Sequence, residues 1–448
     1  MSDLLNIGAS GIRAYQNAIS TVSENIANSG VEGYSKRSTN LSEVAASTTT
    51  ITRREVTAAS GVITTGIARS GDPIKEAAVR SSASDLASSD SAIQWLDRIQ
   101  SALTNNKLGD QLTGFFNSAN AVAADPSATA PRITMLDAAE GAASAFTATG
   151  TALAGIADSL DLSAQDSVST FNGLAAALAK VNDGLSRNVP GTNGSAQLLD
   201  QRDQLLEQMS AIANVAVTAD DVGRVTVRVG GATGPVIVQG NDSGSLSYAR
   251  GNDGAVAYQV HFGGNIYAAA ISGGALAGIA DGAQRLAEAQ QQIAQVATDF
   301  VDGVNQVQAA GVDLDGNPGA PMFAAGASAT DISVVLASPR GIAAAAPGGG
   351  PLDNANLTGL ATLRRTGAFE GEVGQVTTDT ASALAAKQTI ADAQATIHDN
   401  AVADRDSVSG VSLDTEAVDL LKFQQAYSAS SRVIQAARDI FQSILEIR

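Results

Sequence analysis

The residues that could carry catalysis or bind a metal are few and far apart. The chain has 2 histidines, His261 and His398, and no cysteine. Neither histidine has a second histidine or a cysteine at the short spacing that zinc sites use. His261 alternates with apolar residues, as on a strand surface, and His398 lies in a polar helical stretch. We therefore expect neither of them to be catalytic or a metal ligand.

Three other patterns resemble binding motifs only in part. The stretch DLDGN at 313–317 opens like a calcium loop, but Pro318 and Ala324 stand where that loop requires glycine and a bidentate glutamate. The glycine pairs at 230–231 and 263–264 are not followed by the lysine and hydroxyl residue of a phosphate loop. Asp220 and Asp221 fall in a turn-like context. The sequence predicts surface turns at these places, no cofactor, no metal and no enzymatic activity.

Composition narrows the class of protein further. The formal net charge of −18 argues against a nucleic-acid partner, whose phosphates attract lysine and arginine. No apolar run is long enough to span a membrane. The first thirty residues include Asp3, Arg13 and Glu24 and lack the apolar stretch of a secretory signal. We therefore expect a protein that is cytosolic or that leaves the cell by a route without a cleaved signal peptide.

Both ends of the chain carry a seven-residue repeat of apolar residues. Such a repeat is typical of helices that pack lengthwise as a coiled coil, so the ends are predicted to pair. The predicted seam consists of Leu5, Ile12, Tyr15, Ile19, Val22 and Ile26 near the N-terminus and of Leu413, Leu420, Phe423, Tyr427, Ile434, Phe441 and Ile444 near the C-terminus.

The two terminal helices could simply cover the protein's own core. A layer of two helices buries little surface, however, and single helices are marginally stable in water. We therefore expect these ends to be poorly ordered alone and to become ordered against neighbouring copies. On this hypothesis the seam residues form an assembly interface of a homo-oligomer.

The middle of the chain changes period twice, which predicts domain boundaries. Residues 41–213 and 276–404 are mostly helical in spacing, with a loop-rich segment at 310–372. Residues 214–275 alternate, with Val225, Val227 and Val229 separated by polar residues, and predict an outer β domain. Residues 1–40 and 405–448 form the terminal coiled-coil domain. The predicted fold is mainly α with an inserted small β domain, elongated and layered, with a helical domain built from both halves.

Two terminal motifs resemble those of the flagellar axial proteins of rod, hook and hook–filament junction. The stretch SENIANSGVEGYS at 23–35 resembles their signature NNIANxNTxGYS, with Asn25, Asn28, Gly33, Tyr34 and Ser35 at matching positions. Ser29, Val31 and Glu32 depart from it. The C-terminal stretch 407–445 resembles their common ending. These motifs point to the superfamily and leave the member open.

The middle of the chain resembles one family within that superfamily, the hook-associated proteins 1. The similarity lies in LLDQRDQLLEQMSAIANVAVTADDVGRVTVRVGG at 198–231, in the stretch from Phe115 and in GVDLDGNPGAPMF at 311–323. The resemblance implies a ring of copies between hook and filament, outside the cell. It also implies export through the flagellar type III apparatus, with a chaperone on the C-terminal helix. The hook protein and the second junction protein are the implied neighbours.

Two other functions stay open at this point. The chain could be another axial protein, such as the second junction protein or the hook protein, although residues 198–231 argue against both by resemblance. It could also be a secreted, adhesin-like surface protein that binds a ligand through residues 214–275. In that case the β domain alone would bind the ligand, and the terminal helices would be dispensable.

Overall fold

A computed structural model describes residues 2–31, 33–44 and 61–446, with side chains from residue 4 to residue 443 within those ranges. The described chain is mainly helical with a small inserted β region, as the sequence predicts. The helices are α1 (Ser2–Ala27), α2 (Pro73–Asn105), α3 (Leu108–Ala124), α4 (Thr129–Arg187), α5 (Asn193–Ile212), α6 (Ala275–Ala310), α7 (Leu357–Gly367), α8 (Phe369–Ser409) and α9 (Leu413–Glu446).

The strands form four antiparallel sheets within the described residues. The bounds are β1 (Arg37–Glu43), β2 (Val62–Arg69), β3 (Val215–Ala219), β4 (Val225–Val229), β5 (Val236–Gln239), β6 (Asp242–Ser243), β7 (Ser245–Arg250), β8 (Val256–Phe262), β9 (Asn265–Ala269), β10 (Phe323–Ala325) and β11 (Ile332–Val334). Strands β1 and β2 pair with each other, as do β10 and β11. The inserted region holds two sheets, ordered β3-β4-β5-β6 and β7-β8-β9.

The long helix α4 connects two hydrophobic cores. Its 59 residues span about 90 Å at 1.5 Å per residue. The first half of α4 packs into a core with helices α2, α3, α6, α7 and α8. The second half packs into a core that includes both sheets of the inserted region and Trp95 of α2. One continuous helix therefore holds the β region at a fixed place on the helical body.

The first core is built around phenylalanine rings. Phe300 of α6 lies at its centre, with its ring centroid 5.2 Å from that of Phe115 and 5.7 Å from that of Phe369. Both contacts are edge-on, which the ring quadrupoles favour. Phe369 begins α8, so its burial anchors the returning half of the chain against the first half. The helical body is built from both halves in this way.

The alternation predicted for the β region is present in the structure. Val225, Val227 and Val229 of β4 are buried, and the residues between them are half-buried. Asparagine side chains of α4 complete the sheet edges. Asn172 bonds both the amide and the carbonyl of Leu246, and Asn182 does the same for Val225. These side chains satisfy strand groups that would otherwise be left unpaired against the helix.

The structure corrects two expectations about the middle of the chain. Residues 37–43 and 62–69 form the β1–β2 hairpin, although from residue 41 onward this part was assigned to the helical domain. The segment 310–372, expected to be loop-rich, contains α7 and the start of α8. Asn356 explains that start, because its side-chain amide donates to the carbonyls of Val307 and Ala343 and holds the chain where α7 begins. The division into three domains stays a prediction.

The residues first considered for chemistry lie apart from one another. His398 Nδ1 is 3.1 Å from Ser82 Oγ, and His261 Nε2 is 3.2 Å from Ser247 Oγ. The predicted surface turn at 313–317 is confirmed, since Asp313 Oδ1 accepts from the amides of Asp315 and Asn317. Within the described ranges there is no group of three or more histidine and acidic residues that could hold a metal ion. No helix in those ranges is long and apolar enough to cross a membrane.

The β region offers a test of its attachment to α4. Asp161 of α4 accepts hydrogen bonds from Arg250 at 2.7 and 2.8 Å and from the Tyr248 hydroxyl at 2.7 Å. The Arg250 hydrogen bonds lower the pKa of Asp161. We expect Asp161→Asn to reduce the free energy of unfolding by about 1–2 kcal/mol at pH 7. Thermal unfolding of both proteins checks this.

The same pair predicts a pH dependence. Because the pKa of Asp161 is lowered in the fold, its contribution to stability is present above the usual carboxyl pKa of about 4 and is lost as the pH falls through the lowered value. The gap between wild type and Asp161→Asn should therefore shrink near pH 3. Asp183→Asn, which removes an ion pair with the exposed Arg187, serves as the control and should have little effect. An equal gap at both pH values would contradict the assignment.

Candidate assembly interface at the paired termini

Helix α1 packs antiparallel along α9. Gly8 lies opposite Ile434 and Asn25 lies opposite Glu416, near the other end of the contact. Between them the ring centroids of Tyr15 and Phe423 are 6.4 Å apart. The two ends of the chain therefore pair, which is the arrangement that the seven-residue repeats predict.

Glycines allow the two helices to approach closely. A methyl group added at Gly8 would lie 2.5 Å from Ile434 Cγ1, and one added at Gly11 would lie 2.6 Å from Ser430 Oγ. Both distances are below van der Waals contact, so any larger residue would displace α9. These positions cost helix propensity, by up to ~1 kcal/mol each, and the close packing of Ile434 accounts for them.

The predicted seam is only partly the buried face. On α1 the fully buried residues after the glycines are Ala14, Ala18, Thr21, Val22 and Asn25. This face is small and polar because α1 lies between α9 and the β1–β2 hairpin. One link to the hairpin is the hydrogen bond from Thr39 Oγ1 to Thr21 Oγ1, at 2.9 Å.

The remaining seam residues keep part of their surface in solvent. On α9, Glu416 and Ala437 are buried. Half-buried are Ile12, Tyr15, Ile19, Ile26, Leu420, Phe423 and Ile434; exposed are Leu5, Leu413, Tyr427 and Phe441. The side chain of Ile444 lies outside the described residues. The assignment of these residues to an interface between copies stays a prediction.

Asn25 is the polar centre of the helix pair. It is fully buried, and its side chain makes four hydrogen bonds. The amide nitrogen donates to Arg37 O at 2.8 Å and to Glu416 Oε2 at 2.9 Å. The amide oxygen accepts from Arg37 N at 3.0 Å and from the Tyr34 hydroxyl at 2.9 Å. One side chain thus joins α1, the following loop, β1 and α9.

The other motif residues shape the loop after α1. Asn28 closes the helix by donating to Glu24 O at 2.8 Å, and Gly33 has a φ of +77°, which other residues adopt with strain. Ser35 is buried. Burial raises the pKa of the Tyr34 hydroxyl, so this group stays protonated and donates to Asn25 at neutral pH. The motif therefore describes a loop that returns the chain to the helix pair.

A buried charge cluster follows this loop. Lys36 Nζ lies 2.9 Å from Glu416 Oε1, whose side chain is 1% exposed. Arg37 and Arg69, at the base of the hairpin, both contact Asp200 of α5. Arg69 also lies 2.6 Å from Asp203. Sequence reasoning missed this cluster, because its members are distant along the chain and none belongs to a catalytic pattern.

A cavity of about 780 Å³ lies beside the charge cluster. The loop after α1 and the loop between α8 and α9 line one side, and α2, α5 and α8 line the other. Arg80 and Arg405 face Glu76 and Glu207 across it. Burial raises the pKa of Glu76, and the neighbouring Asp203 raises it further. The charges balance one another, so the cavity favours neither an anion nor a cation.

Helix α9 also carries apolar side chains that the described chain leaves uncovered. Val418 is 66% exposed and Leu421 is 59% exposed. Val433 and Ile440, seven residues apart, are exposed as well. Leu4 and Leu5 of α1 are exposed at the far end of the pair. Soluble monomers rarely expose several large apolar residues on one short element, so these residues form a surface suited to protein contact.

Comparison with known families places the chain. A model described as the flagellar hook-associated protein FlgK helical domain matches residues 93–323, more than half of the chain. The chain belongs to the flagellar hook-associated protein FlgK family. A model of the C-terminal region of the flagellar basal body rod FlgEFG proteins matches residues 405–447, which correspond to the end of α8 and to α9. This FlgK family member therefore shares its last helix with rod proteins.

Curated relatives carry the name flagellar hook-associated protein 1. The protein of Salmonella typhimurium is 29% identical over 338 residues, which are 73% of this chain and 60% of that protein. The Escherichia coli K12 protein is 24% identical, with all of both chains aligned. That alignment runs over 554 positions, so it contains positions with no counterpart among the 448 residues here.

More distant similarities extend to another bacterium and to a solved structure. The Bacillus subtilis protein of the same name is 22% identical over 97% of this chain and 96% of its own. A structure of the flagellar hook junction protein FlgK from Burkholderia pseudomallei aligns with a TM-score of 0.49 and 24% identity. The alignment covers 55% of this chain and 46% of that one.

The polar centre predicts the effect of changing one atom type. In Asn25→Asp the donor to Glu416 becomes a carboxylate oxygen, which places two acidic groups within hydrogen-bond distance in a buried site. We expect α1 and α9 to separate, with amide hydrogen exchange in α1 at least tenfold faster by mass spectrometry. Asn17→Asp is the matched control, because Asn17 makes one long, exposed contact of 3.4 Å to Thr64. Equal exchange in the two variants would argue against the role of Asn25.

The close approach of the helices predicts a second effect. Gly8→Val places methyl groups against Ile434 and should loosen the pair by about 1–3 kcal/mol, measured as faster hydrogen exchange in α1 and α9. Adding Ile434→Ala should restore protection by making room. The control is Gly155→Val in α4, where an added side chain meets nothing within 4 Å. If Gly8→Val left exchange unchanged, the two helices would not be in close contact.

Proposed function

We propose that this chain is a structural subunit of the joint between the flagellar hook and filament, where it polymerises through its terminal helices. Its role is mechanical and involves no catalysis. Membership of the FlgK family and the names of the curated relatives support this role. The match to the first relative spans 60% of that protein, so the function is carried to this chain as a proposal.

The observation that carries the proposal is the uncovered apolar surface of the paired termini. Helix α9 is 34 residues long, and α1 covers only one of its sides. Val418, Leu421 and Ile440 remain exposed. Burying each such side chain is worth about 1.5–3 kcal/mol, so covering them with helices of neighbouring copies stabilises an assembly. The half-exposed seam residues Ile12 and Ile19 extend the same surface on α1.

The partners follow from this surface. The first is a second copy of the chain, repeated into a ring. Because the last helix matches the C-terminal region of rod proteins, it supports stacking on other axial proteins, with the hook protein below and the second junction protein above. The exposed apolar residues of α9 also need cover before assembly, which suits an export chaperone on that helix. The proposed location is the extracellular flagellum, reached without a cleaved signal peptide.

The central region distinguishes this role from that of the hook or rod proteins. The last helix matches a rod-protein model, whereas residues 93–323 match the helical domain of the hook-associated family. In the structure this central match runs from α2 through both sheets of the β region to Phe323. The match therefore supports a junction protein rather than another axial member.

A single charge on the uncovered surface tests the proposal. Deleting the gene should leave hooks without filaments and release filament protein into the medium. We expect Val418→Asp to fail to restore filaments in that strain, because it puts a charge into the contact between copies. The purified variant should keep the wild-type melting temperature, since Val418 is 66% exposed in the single chain.

The control is Gln424→Asp, which adds the same charge at an exposed polar position of α9. It should restore filaments fully or nearly so. Electron microscopy counts filaments per cell, and a motility assay confirms the count. Normal filaments in the deletion strain would refute the junction role. Normal filaments with Val418→Asp would refute only the proposed contact surface.

A further inference from the structure

We infer that Asp200 of α5 is the positioning residue that fixes the paired termini on the helical body. Its carboxylate lies under the base of the β1–β2 hairpin, between Arg37 and Arg69. The inference concerns the single chain, and it rests on the proposed function only where filament growth is read out.

The geometry shows why this position needs an acid. Arg37 and Arg69 are direct partners across the antiparallel β1–β2 ladder. Like charges in directly opposite positions repel each other, and here the side chains are only 9% and 12% exposed. Asp200 Oδ2 lies 2.9 Å from Arg37 Nη2, and Asp200 Oδ1 lies 2.7 Å from Arg69 Nε. Each carboxylate oxygen therefore neutralises one arginine, and the two strands can close.

Further acids support Asp200 without replacing it. Asp203, one turn further along α5, lies 2.6 Å from Arg69 Nη2, and Arg202 in turn holds Asp203. Glu76 of α2 lies 3.5 Å from Arg69, and Glu24 of α1 lies 3.7 Å from Arg37. Among these contacts only Asp200 reaches both arginines. It is the one described acid that joins both hairpin strands to α5.

From Arg37 the connection continues into the terminal helices. The backbone amide and carbonyl of Arg37 bond Asn25 of α1. The preceding residue, Lys36, pairs with Glu416 of α9, and its amide donates to Ser409 O at the end of α8. Two successive residues thus link the body to both terminal helices. The direction in which the helix pair leaves the body depends on how Asp200 holds Arg37.

This arrangement explains a sequence feature. Asp200 lies in the stretch LLDQRDQLLEQM, within the region where the chain matches the FlgK helical domain. Its carboxylate contacts Arg37, which follows the motif shared with other axial proteins. The central region therefore sets the orientation of ends that are otherwise general to axial proteins. Buried ion pairs often add little stability but specify one geometry, which suits this role.

The absence of cysteine allows a direct measurement of orientation. Spin labels on Gln208→Cys in α5 and Gln424→Cys in α9, both exposed, report the distance between body and helix pair by double electron–electron resonance. We expect one narrow distribution in the otherwise unaltered chain. In Asp200→Asn the distribution should broaden or shift, and exchange of the hairpin amides should accelerate roughly 30- to 100-fold.

A second substitution separates charge neutralisation from general damage. Arg37→Gln added to Asp200→Asn removes one of the two facing charges, so it should narrow the distribution again and slow exchange. Asp183→Asn, which removes the same charge elsewhere, is the control and should match the unaltered chain. In cells, Asp200→Asn should attach few filaments and the double variant more.

Four outcomes would overturn the inference. They are a broad distribution already in the unaltered chain, an unchanged distribution in Asp200→Asn, a double variant as disordered as Asp200→Asn, and loss of the unfolding transition of the whole body. The resonance measurement uses purified chain and does not depend on the junction role. A positive distance result with normal filament growth would therefore count against the proposed function and leave the role of Asp200 intact.

Discussion

The hydrogen bond from Asn25 to Glu416 joins two residues that are 391 positions apart in the chain. Both side chains are buried, so each must be satisfied inside the fold. Asn25 uses all four of its hydrogen-bonding positions, and Glu416 receives both Asn25 and Lys36. Any shift of α9 along α1 would leave these groups unpaired. The relative placement of the two terminal helices, and of the hairpin beside them, depends on this contact.

The helical body is arranged to serve that contact. Alanine and glycine supply much of the apolar content, and they allow helices to approach closely while burying little area each. The few large rings are therefore concentrated, with six phenylalanines in one core. The 59-residue helix α4 then extends from this core to the β region. A chain with 4% aromatic residues can build two cores in this way because one long element belongs to both.

Sequence reasoning succeeded where the pattern is local. The alternation of Val225, Val227 and Val229 fixed strand β4 and its buried face. The seven-residue repeats identified both terminal helices and their pairing. The buried face of α1 was missed because Gly8, Ala18 and other small residues repeat with the same period as the larger ones. Periodicity favours the larger side chains, although the close approach of α9 selects the smaller.

What could not be predicted depends on distant partners. Strand β1 reads RSTNLSE, mostly polar and half-exposed, so it has no apolar alternation to reveal it. Its position comes from Asp200, which is 163 residues away from Arg37. Helix α7 follows a stretch rich in glycine and proline, and its start is set by Asn356 contacts with two other segments. None of these pairs leaves a local signal.

The pairing of the two ends also sets an order in time. Helix α1 contains the first residues of the chain and α9 the last described ones, so α1 cannot complete its contacts until residue 416 is present. Closing a loop of that length costs about 5 kcal/mol of chain entropy when nothing between the ends is folded. The body shortens that search once its own cores have formed. The terminal pair is thus the last part of the chain to fold, and its completion marks a subunit whose every other segment has already arrived.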